Sequence, residues 1–146
     1  MEYKATTKWQ ANSNPFDVKT FDRSHSITFG SGATLEGSSA PEFLGKANLV
    51  NPEELFTASI NSCFMLTFLY WAAMRKFDVA QYECEAVGKL GKNAEGKMAM
   101  LEVMLKPEVQ FNGTAPDSEQ LNDLFHKAHD QCFISSSVKT TVTVQQ

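Results

Sequence analysis

The sequence predicts a single α+β domain spanning residues 1–146. Its length of 146 residues is ordinary for one domain. Hydrophobic residues make up 42% of the chain, which is enough for a real core and argues against global disorder. The apolar pattern changes along the chain from alternating to helical and back. The predicted strands are therefore grouped and do not alternate strictly with helices, which is typical of the α+β class.

The N-terminal part is expected to contain two strands. Residues 3–11 (YKATTKWQA) alternate loosely and predict the first, and residues 24–29 (SHSITF) predict the second. The second strand ends at the turn Gly30-Ser-Gly. Residues 31–50 are rich in Gly, Ser, Ala and Pro, so we expect a loop there with room for one short strand.

A long helix is predicted to start in the stretch NPEELFTASINSCF. Asn51 is a good N-cap, Pro52 suits the first helical position, and Glu54 falls where a capping-box carboxylate is expected. We expect this helix to run to about Lys76. From Leu55 to Met74 it contains no charged residue.

Such an apolar helix has two interpretations. Twenty uncharged residues are long enough to cross a bilayer. This run, however, follows two glutamates and contains five polar residues, which are Thr57, Ser59, Asn61, Ser62 and Thr67. A helix that is apolar all round otherwise belongs to a core. A domain this small has trouble surrounding the helix completely, so we expect no membrane span and a homodimer in which a second subunit covers one face.

The second half of the chain predicts a hairpin of two strands. Residues 81–90 and 98–106 flank GKNAEGK, a turn with two glycines. Pro107 weakens the end of the return strand, which is expected to continue over residues 108–111 past a bulge.

A second helix and a last strand complete the predicted order. Asp117 or Ser118 caps the helix, and Val138–Val144 alternates as a strand. The apolar stripe of the helix is made by Leu121, Leu124, Phe125, Ala128 and Cys132.

Charge and composition exclude several classes of function. The formal net charge is −4 and no block of like charges is present, which argues against a nucleic-acid partner. The first residues are mostly polar with no apolar segment after Met1, so we expect a cytoplasmic location. Three cysteines fit poorly with a secreted disulfide framework. In a reducing compartment a cysteine pair is typical of catalysis, redox chemistry or metal binding.

The cysteines are the main candidates for chemistry. Cys63 and Cys132 lie on predicted helices near apolar faces, and Cys84 lies in a strand where it points inward with Tyr82 and Ala86. Each cysteine alone is also compatible with a buried small hydrophobic residue. A reactive pair requires a cation near one thiol and a second cysteine within reach to resolve the sulfenic acid.

Metal and hydrolase chemistry receive little support. The segment HKAHDQC offers His126, His129 and Cys132 as ligands, and zinc needs at least three ligands in a tetrahedral array. No CxxC or HxxxH spacing occurs, so we expect no metal and no bound cofactor. The G-x-S-x-G turn of a serine hydrolase is also missing from the sequence.

The two cysteine segments together resemble the signatures of the OsmC/Ohr family (osmotically inducible protein C and organic hydroperoxide resistance protein). NPEELFTASINSCF is similar to the first signature, and AHDQCFISSSVKTTVTV is similar to the second, which leads into the last strand. The resemblance implies antiparallel sheets packed around two helices, with the long apolar helix at the interface of an intertwined homodimer. It also implies a thiol peroxidase that reduces organic hydroperoxides or peroxide with an external dithiol donor, such as a lipoyl protein or thioredoxin.

The same resemblance assigns roles to individual residues. Cys63 matches the peroxidatic cysteine, Cys132 the resolving cysteine and Glu53 the site glutamate. Arg23 is a better match for the site arginine than the position before N-P-E, where this chain has only Lys46. The substrate pocket is expected to be lined by Phe64, Met65 and Phe68. The competing interpretation is a non-catalytic OsmC-like dimer that binds an apolar ligand and whose thiols are incidental.

Helix geometry constrains the relationship between Glu53 and Cys63. On one continuous helix, ten residues separate them by about 15 Å and roughly 80°. Three arrangements remain open: a helix broken near residues 57–62, a Glu53 that serves Cys63 of the other subunit, or an Arg23 side chain that bridges the gap. We expect a site assembled at the dimer interface.

Overall fold

The computed structural model describes all 146 residues. The chain divides into two compact units, Met1–Leu55 and Phe56–Gln146. It contains two helices and two three-stranded sheets, so the predicted α+β class is confirmed.

The N-terminal unit is built on an antiparallel sheet with the order β1-β2-β3. The strands are β1 (Ala5–Lys8), β2 (His25–Phe29) and β3 (Thr34–Gly37), and a short 3₁₀ turn follows at Pro41–Phe43. The first strand is shorter than predicted, because the chain leaves the sheet at Trp9. The turn after β2 is confirmed, and its Gly32 has a φ of 90°, a left-handed conformation that favours glycine.

The connection between β1 and β2 is held by its own side chains. Trp9 Nε1 donates to the carbonyl of Asp22 over 2.6 Å, and Asn12 Nδ2 donates to the Asp22 carboxylate over 2.8 Å. Thr20 Oγ1 donates to the carbonyl of Pro15 over 2.8 Å. The backbone N–H and hydroxyl of Ser24, with Lys46, lower the pKa of Asp22. These contacts order a long loop that has no regular secondary structure.

Helix α1 spans Pro52–Met74 and begins as predicted. The N–H of Glu54 donates to Asn51 Oδ1 over 2.9 Å, and the N–H of Asn51 donates to Glu54 Oε2 over 3.3 Å. This reciprocal pair is the expected capping box. The helix ends two residues before the predicted Lys76, which adopts a left-handed φ of 62° and ends the helical path.

The C-terminal unit contains the second sheet, with the order β4-β5-β6. Its strands are β4 (Asp78–Lys92), β5 (Met98–Asn112) and β6 (Thr141–Val144). β4 and β5 form the predicted hairpin and are longer than expected. β6 pairs with β5 in parallel, so the expectation of antiparallel pairing holds for every other strand pair but not for this one.

Two expectations for this sheet are wrong in detail. β5 continues through Pro107, which pairs with Cys84, and the register shifts lie elsewhere, at Val79/Gln81 and Lys89/Leu90. β6 pairs only with Glu102–Leu105, so Pro107 lies beyond that pairing, where the missing N–H of a proline is tolerated. The last strand starts at Thr141 instead of Val138, because the chain bends at Lys139 and Thr140 after the short 3₁₀ turn at residues 135–137.

Helix α2 spans Ser118–Asp130 and is capped by Asp117. The Asp117 carboxylate accepts from the Gln120 N–H, and the Gln120 side chain accepts from the Asp117 N–H, which completes a second capping box. Cys132 lies just past the end of α2 instead of on it, which corrects the predicted helical position.

One face of α1 forms the core of the C-terminal unit. The buried core residues come from α1, β5, α2 and β6, and they are Ile60, Phe64, Phe68, Ala72, Val103, Leu105, Leu124, Phe125, Ala128 and Val142. By length and composition α1 is also able to cross a bilayer, a test that core helices of soluble proteins pass as well. One face of α1 packs against the sheet and α2, as predicted for a core helix, whereas the covering of its other face by a second subunit stays a prediction.

Candidate active site

Cys63 lies in the middle of α1 and is partly exposed. The Thr67 hydroxyl, four residues further along the helix, donates to the Cys63 carbonyl over 2.8 Å. The next residue, Phe64, points into the core with no exposed surface. The thiol therefore lies at the border between the buried face of the helix and its open side.

Cys132 is fully buried in the turn that follows α2. The N–H of Ser135 points at its sulfur over 3.5 Å, and the N–H and hydroxyl of Ser136 donate to its carbonyl. Burial raises the pKa of the Cys132 thiol, and the neighbouring Cys63 thiol raises it further. The pKa of Cys132 is therefore above the ordinary thiol value of 9.0, and the group is protonated near neutral pH.

The structure thus brings Cys63 and Cys132 side by side. Both are free thiols, and the Cys63 side chain is close enough to interact with Cys132 by hydrogen bonding and by charge. The juxtaposition depends on the packing of α1 against α2: the ring of Phe125 lies 6.1 Å from Phe64 and 5.1 Å from Phe68. The fold thus places a thiol from the middle of α1 beside a thiol just past the end of α2, although the two are distant in the sequence.

Cys84 is separate from this pair. It lies in β4, where Tyr82, Cys84 and Ala86 all pack against the core, as the alternation predicted. Burial raises the pKa of the Cys84 thiol, and burial followed by the nearby Cys84 raises the pKa of the Tyr82 phenol strongly. The Cys84 carbonyl accepts a hydrogen bond of 2.9 Å from Asn61 Nδ2, which ties α1 to the sheet. Cys84 is a packed thiol without a cysteine partner among its described contacts.

Glu53 lies in the first turn of α1 and is partly buried. Because α1 runs without a break from Pro52 to Met74, the arrangement with a broken helix is excluded. Along the axis of a continuous helix, ten residues then place Glu53 about 15 Å from Cys63 of the same chain. The other two arrangements, sharing across subunits or bridging by Arg23, stay predictions.

Arg23 lies at the end of the loop that connects β1 and β2, in the N-terminal unit. Its guanidinium donates to the carbonyls of Phe21 over 2.8 Å and Val18 over 2.6 Å. Its central carbon lies 3.9 Å from the centroid of the Phe21 ring, a stacked cation–π contact. The expected ion pair of Arg23 with Glu53 stays a prediction, as does the position of this guanidinium relative to the thiols.

The predicted pocket residues have different environments. Phe64 and Phe68 are fully buried in the hydrophobic core, where their rings contact Phe125, and Phe68 also contacts Tyr82 at 5.6 Å. Met65 is partly exposed. The burial of the two phenylalanines is explained by core packing alone, and the assignment of all three residues to a substrate pocket stays a prediction.

A pocket that sequence reasoning missed lies in the N-terminal unit. Its volume is about 500 Å³. It is lined by Thr7, Trp9, Phe16, Phe21, Arg23, His25, Ser38, Ser39 and Pro52. The available signal was the presence of three aromatic residues in an otherwise polar loop, WQANSNPFDVKTFD. That signal is weak, because only the folded loop brings the rings together.

Comparison with known proteins agrees with this architecture. The family model described as OsmC-like protein matches residues 45–146. An OsmC-like protein of unknown function from Vibrio cholerae is 38% identical, with a TM-score of 0.95 over 99% of this chain and 98% of that one. No curated protein matches the chain.

Two more distant structures carry names that include a function. A putative organic hydroperoxide resistance protein from Vibrio cholerae, with captopril bound in one of the active sites, is 25% identical. Its TM-score is 0.73 over 99% of this chain and 89% of that one. An organic hydroperoxide resistance protein from Legionella pneumophila is 20% identical, with a TM-score of 0.74 over 99% and 94%. With the family model covering most of the chain, these findings confirm the resemblance of the two cysteine segments: the chain belongs to the OsmC-like family.

Proposed function

We propose that this protein is a thiol peroxidase that reduces organic hydroperoxides through Cys63 and Cys132. The observation that carries the proposal is the pairing of these two thiols, since a peroxidatic cysteine needs a second thiol within reach to resolve its sulfenic acid. Membership of the OsmC-like family supports it, because structural relatives are named organic hydroperoxide resistance proteins. We propose a cytoplasmic setting, where a dithiol donor such as thioredoxin is at hand.

The proposed chemistry has three balanced steps. The Cys63 thiolate attacks the distal oxygen of ROOH, the O–O bond breaks, and the alkoxide takes a proton and leaves as ROH while Cys63 becomes a sulfenic acid. The Cys132 sulfur then attacks the Cys63 sulfur, forming a disulfide and releasing water. An external dithiol such as a lipoyl protein or thioredoxin reduces that disulfide by exchange and becomes a disulfide itself.

Arg23 and Glu53 have supporting roles in this proposal. Arg23 stabilises the thiolate and orients the peroxide, and Glu53 helps to hold the guanidinium. Because α1 is continuous, we propose that Glu53 of one subunit serves Cys63 of the other. Mixed dimers of Glu53→Ala and Cys63→Ser chains test this: partial recovery of activity supports sharing, and background activity contradicts it.

We propose that the working form is a homodimer joined through the open side of α1. Leu66, Tyr70 and Met74 lie four residues apart and are 60%, 57% and 59% exposed in the single chain. Residues spaced by four form one stripe along a helix. A soluble monomer rarely exposes so continuous an apolar surface.

A steady-state assay tests the activity. Reduced protein is supplied with cumene hydroperoxide or hydrogen peroxide, and lipoyl and thioredoxin donors are used in turn. We expect turnover with at least one donor, loss of turnover in Cys63→Ser, and a single oxidation followed by a stall in Cys132→Ser. Cys84→Ser is the matched control and keeps its activity. No oxidation of Cys63 by either peroxide would exclude the proposed function and leave the non-catalytic interpretation.

A further inference from the structure

The missed pocket of the N-terminal unit has an ordered apolar wall. The ring centroids of Trp9 and Phe16 lie 5.8 Å apart, and those of Phe16 and Phe21 lie 5.7 Å apart, with tilted planes. The three rings therefore form a continuous row. Such a row offers the flat, apolar surface against which an aromatic ring or an alkyl chain packs favourably.

A cation stands at one end of this row. The Arg23 guanidinium lies on the face of Phe21, and hydrogen bonds to the carbonyls of Val18 and Phe21 fix its orientation. A guanidinium has five N–H donors, and these two bonds use two of them. The remaining N–H groups of Arg23 are able to donate to an anionic head group as well as to the proposed partner Glu53. The wall of the pocket thus changes from apolar to cationic along its length.

His25 adds a second polar group beside Arg23. Its Nδ1 lies 2.9 Å from the Arg23 carbonyl, and because a carbonyl only accepts, Nδ1 carries the hydrogen. The ring packs against Gly37, where a Cβ atom would lie 2.9 Å from His25 Nε2. The absence of a side chain at Gly37 therefore makes room for this ring, which also lines the pocket. Together these contacts fix the imidazole at the cationic end.

We propose that this pocket binds a small carboxylate with an apolar body. The body packs on Trp9, Phe16 and Phe21, and the carboxylate faces the Arg23 guanidinium. A cationic ligand is disfavoured, because Arg23 would repel it. The volume of about 500 Å³ lies within the ordinary range of small-molecule sites. The pocket shares Arg23 with the proposed peroxidase, but binding of the carboxylate goes beyond that activity and does not require that the cysteines turn over.

Three probes of one shape test the ligand class on the full, reduced chain. They are 3-phenylpropionate, 3-phenylpropanol and 3-phenylpropylammonium, titrated by calorimetry and by ligand-observed NMR. We expect the carboxylate to bind at least about tenfold more tightly than the alcohol, the difference that one charge-assisted hydrogen bond typically makes, and the ammonium not to bind. Equal affinity for the three probes, or no binding at millimolar concentration because another chain covers the pocket, would overturn the proposal.

Matched variants locate the binding. Arg23→Gln should remove the preference for the carboxylate, whereas Arg75→Gln, at the only other arginine, should not. Phe16→Ala should weaken binding of the carboxylate and the alcohol alike; Phe133→Ala is its control, because these rings are 80% and 82% exposed. If Arg23→Gln fails to fold, the comparison of Phe16→Ala with Phe133→Ala still tests whether the probes bind in this pocket. Cys63→Ser should bind as the wild type does, so that loss of peroxidase activity and loss of binding are separate results.

Discussion

Cys132, two residues beyond the end of α2, is a direct neighbour of Cys63 in the middle of α1. One of the two is fully buried and the other is partly exposed. This asymmetry suits a peroxidatic thiol that meets the peroxide first and a resolving thiol that is protected from it.

The rate of disulfide formation should rise with pH. Cys132 reacts as a thiolate, and burial raises its pKa above 9.0, so only a small fraction is ionised near neutrality. Below that pKa the thiolate fraction grows about tenfold per pH unit. Stopped-flow measurement of the step after sulfenic acid formation should show this increase between pH 7 and 8.5. A rate that is independent of pH over this interval would contradict the assigned role of Cys132.

Phe68→Ala should destabilise the C-terminal unit more than it alters substrate affinity. The Phe68 side chain has no exposed surface and contacts Tyr82 and Phe125, so its removal leaves a cavity that costs about 3–5 kcal/mol. Urea unfolding gives the free energy of unfolding, with Phe133→Ala, whose ring is exposed and lies outside the proposed dimer interface, as the control. A stable Phe68→Ala protein with an altered KM would instead place this ring in the substrate pocket.

Gly88→Ala should also be destabilising. A methyl group at Gly88 in β4 would overlap Thr57 Oγ1 of α1 and lie 2.6 Å from Met100 Cε. Overpacking of this kind costs about 1–3 kcal/mol. Gly30→Ala is the control, because its new methyl group would meet nothing closer than 3.5 Å. If both variants unfold at the same urea concentration as the wild type, α1 does not pack against the sheet as tightly as described.

Tyr70→Glu should convert the dimer to monomers. It places a charge in the exposed stripe of α1, where burial against a second subunit would leave it without a partner. Met98→Glu is the control, since Met98 is similarly exposed but lies beside the β4–β5 turn. Sedimentation equilibrium at micromolar concentration reports the mass. A wild-type protein that is already monomeric would exclude the dimer.

Local chemistry made much of this fold predictable. Asn51, Pro52 and Glu54 fix the start of α1, and Gly96, with a φ of 77°, forms the turn of the hairpin. The pairing of Cys63 with Cys132 was expected only through the family resemblance, since no spacing rule connects residues so far apart. Its geometry depends on how α1 packs on α2.

Other features depend on tertiary structure alone. The parallel pairing of β6 with β5 is decided by the path of the chain after α2, which no local pattern records. Pro107 stays in β5 because β6 pairs only with the earlier residues of that strand, Glu102–Leu105. The aromatic row of Trp9, Phe16 and Phe21 is assembled by loop contacts to Asp22, and in the sequence its members are separated by six and four other residues.

The fate of the three thiols after one equivalent of cumene hydroperoxide tests most directly whether Cys63 and Cys132 form the redox pair. The reduced protein is oxidised, its remaining thiols are alkylated, and its peptides are mapped by mass spectrometry. We expect a Cys63–Cys132 disulfide, which requires Cα atoms within about 7 Å, and an alkylated Cys84. A disulfide that contains Cys84, or three alkylated cysteines, would contradict it.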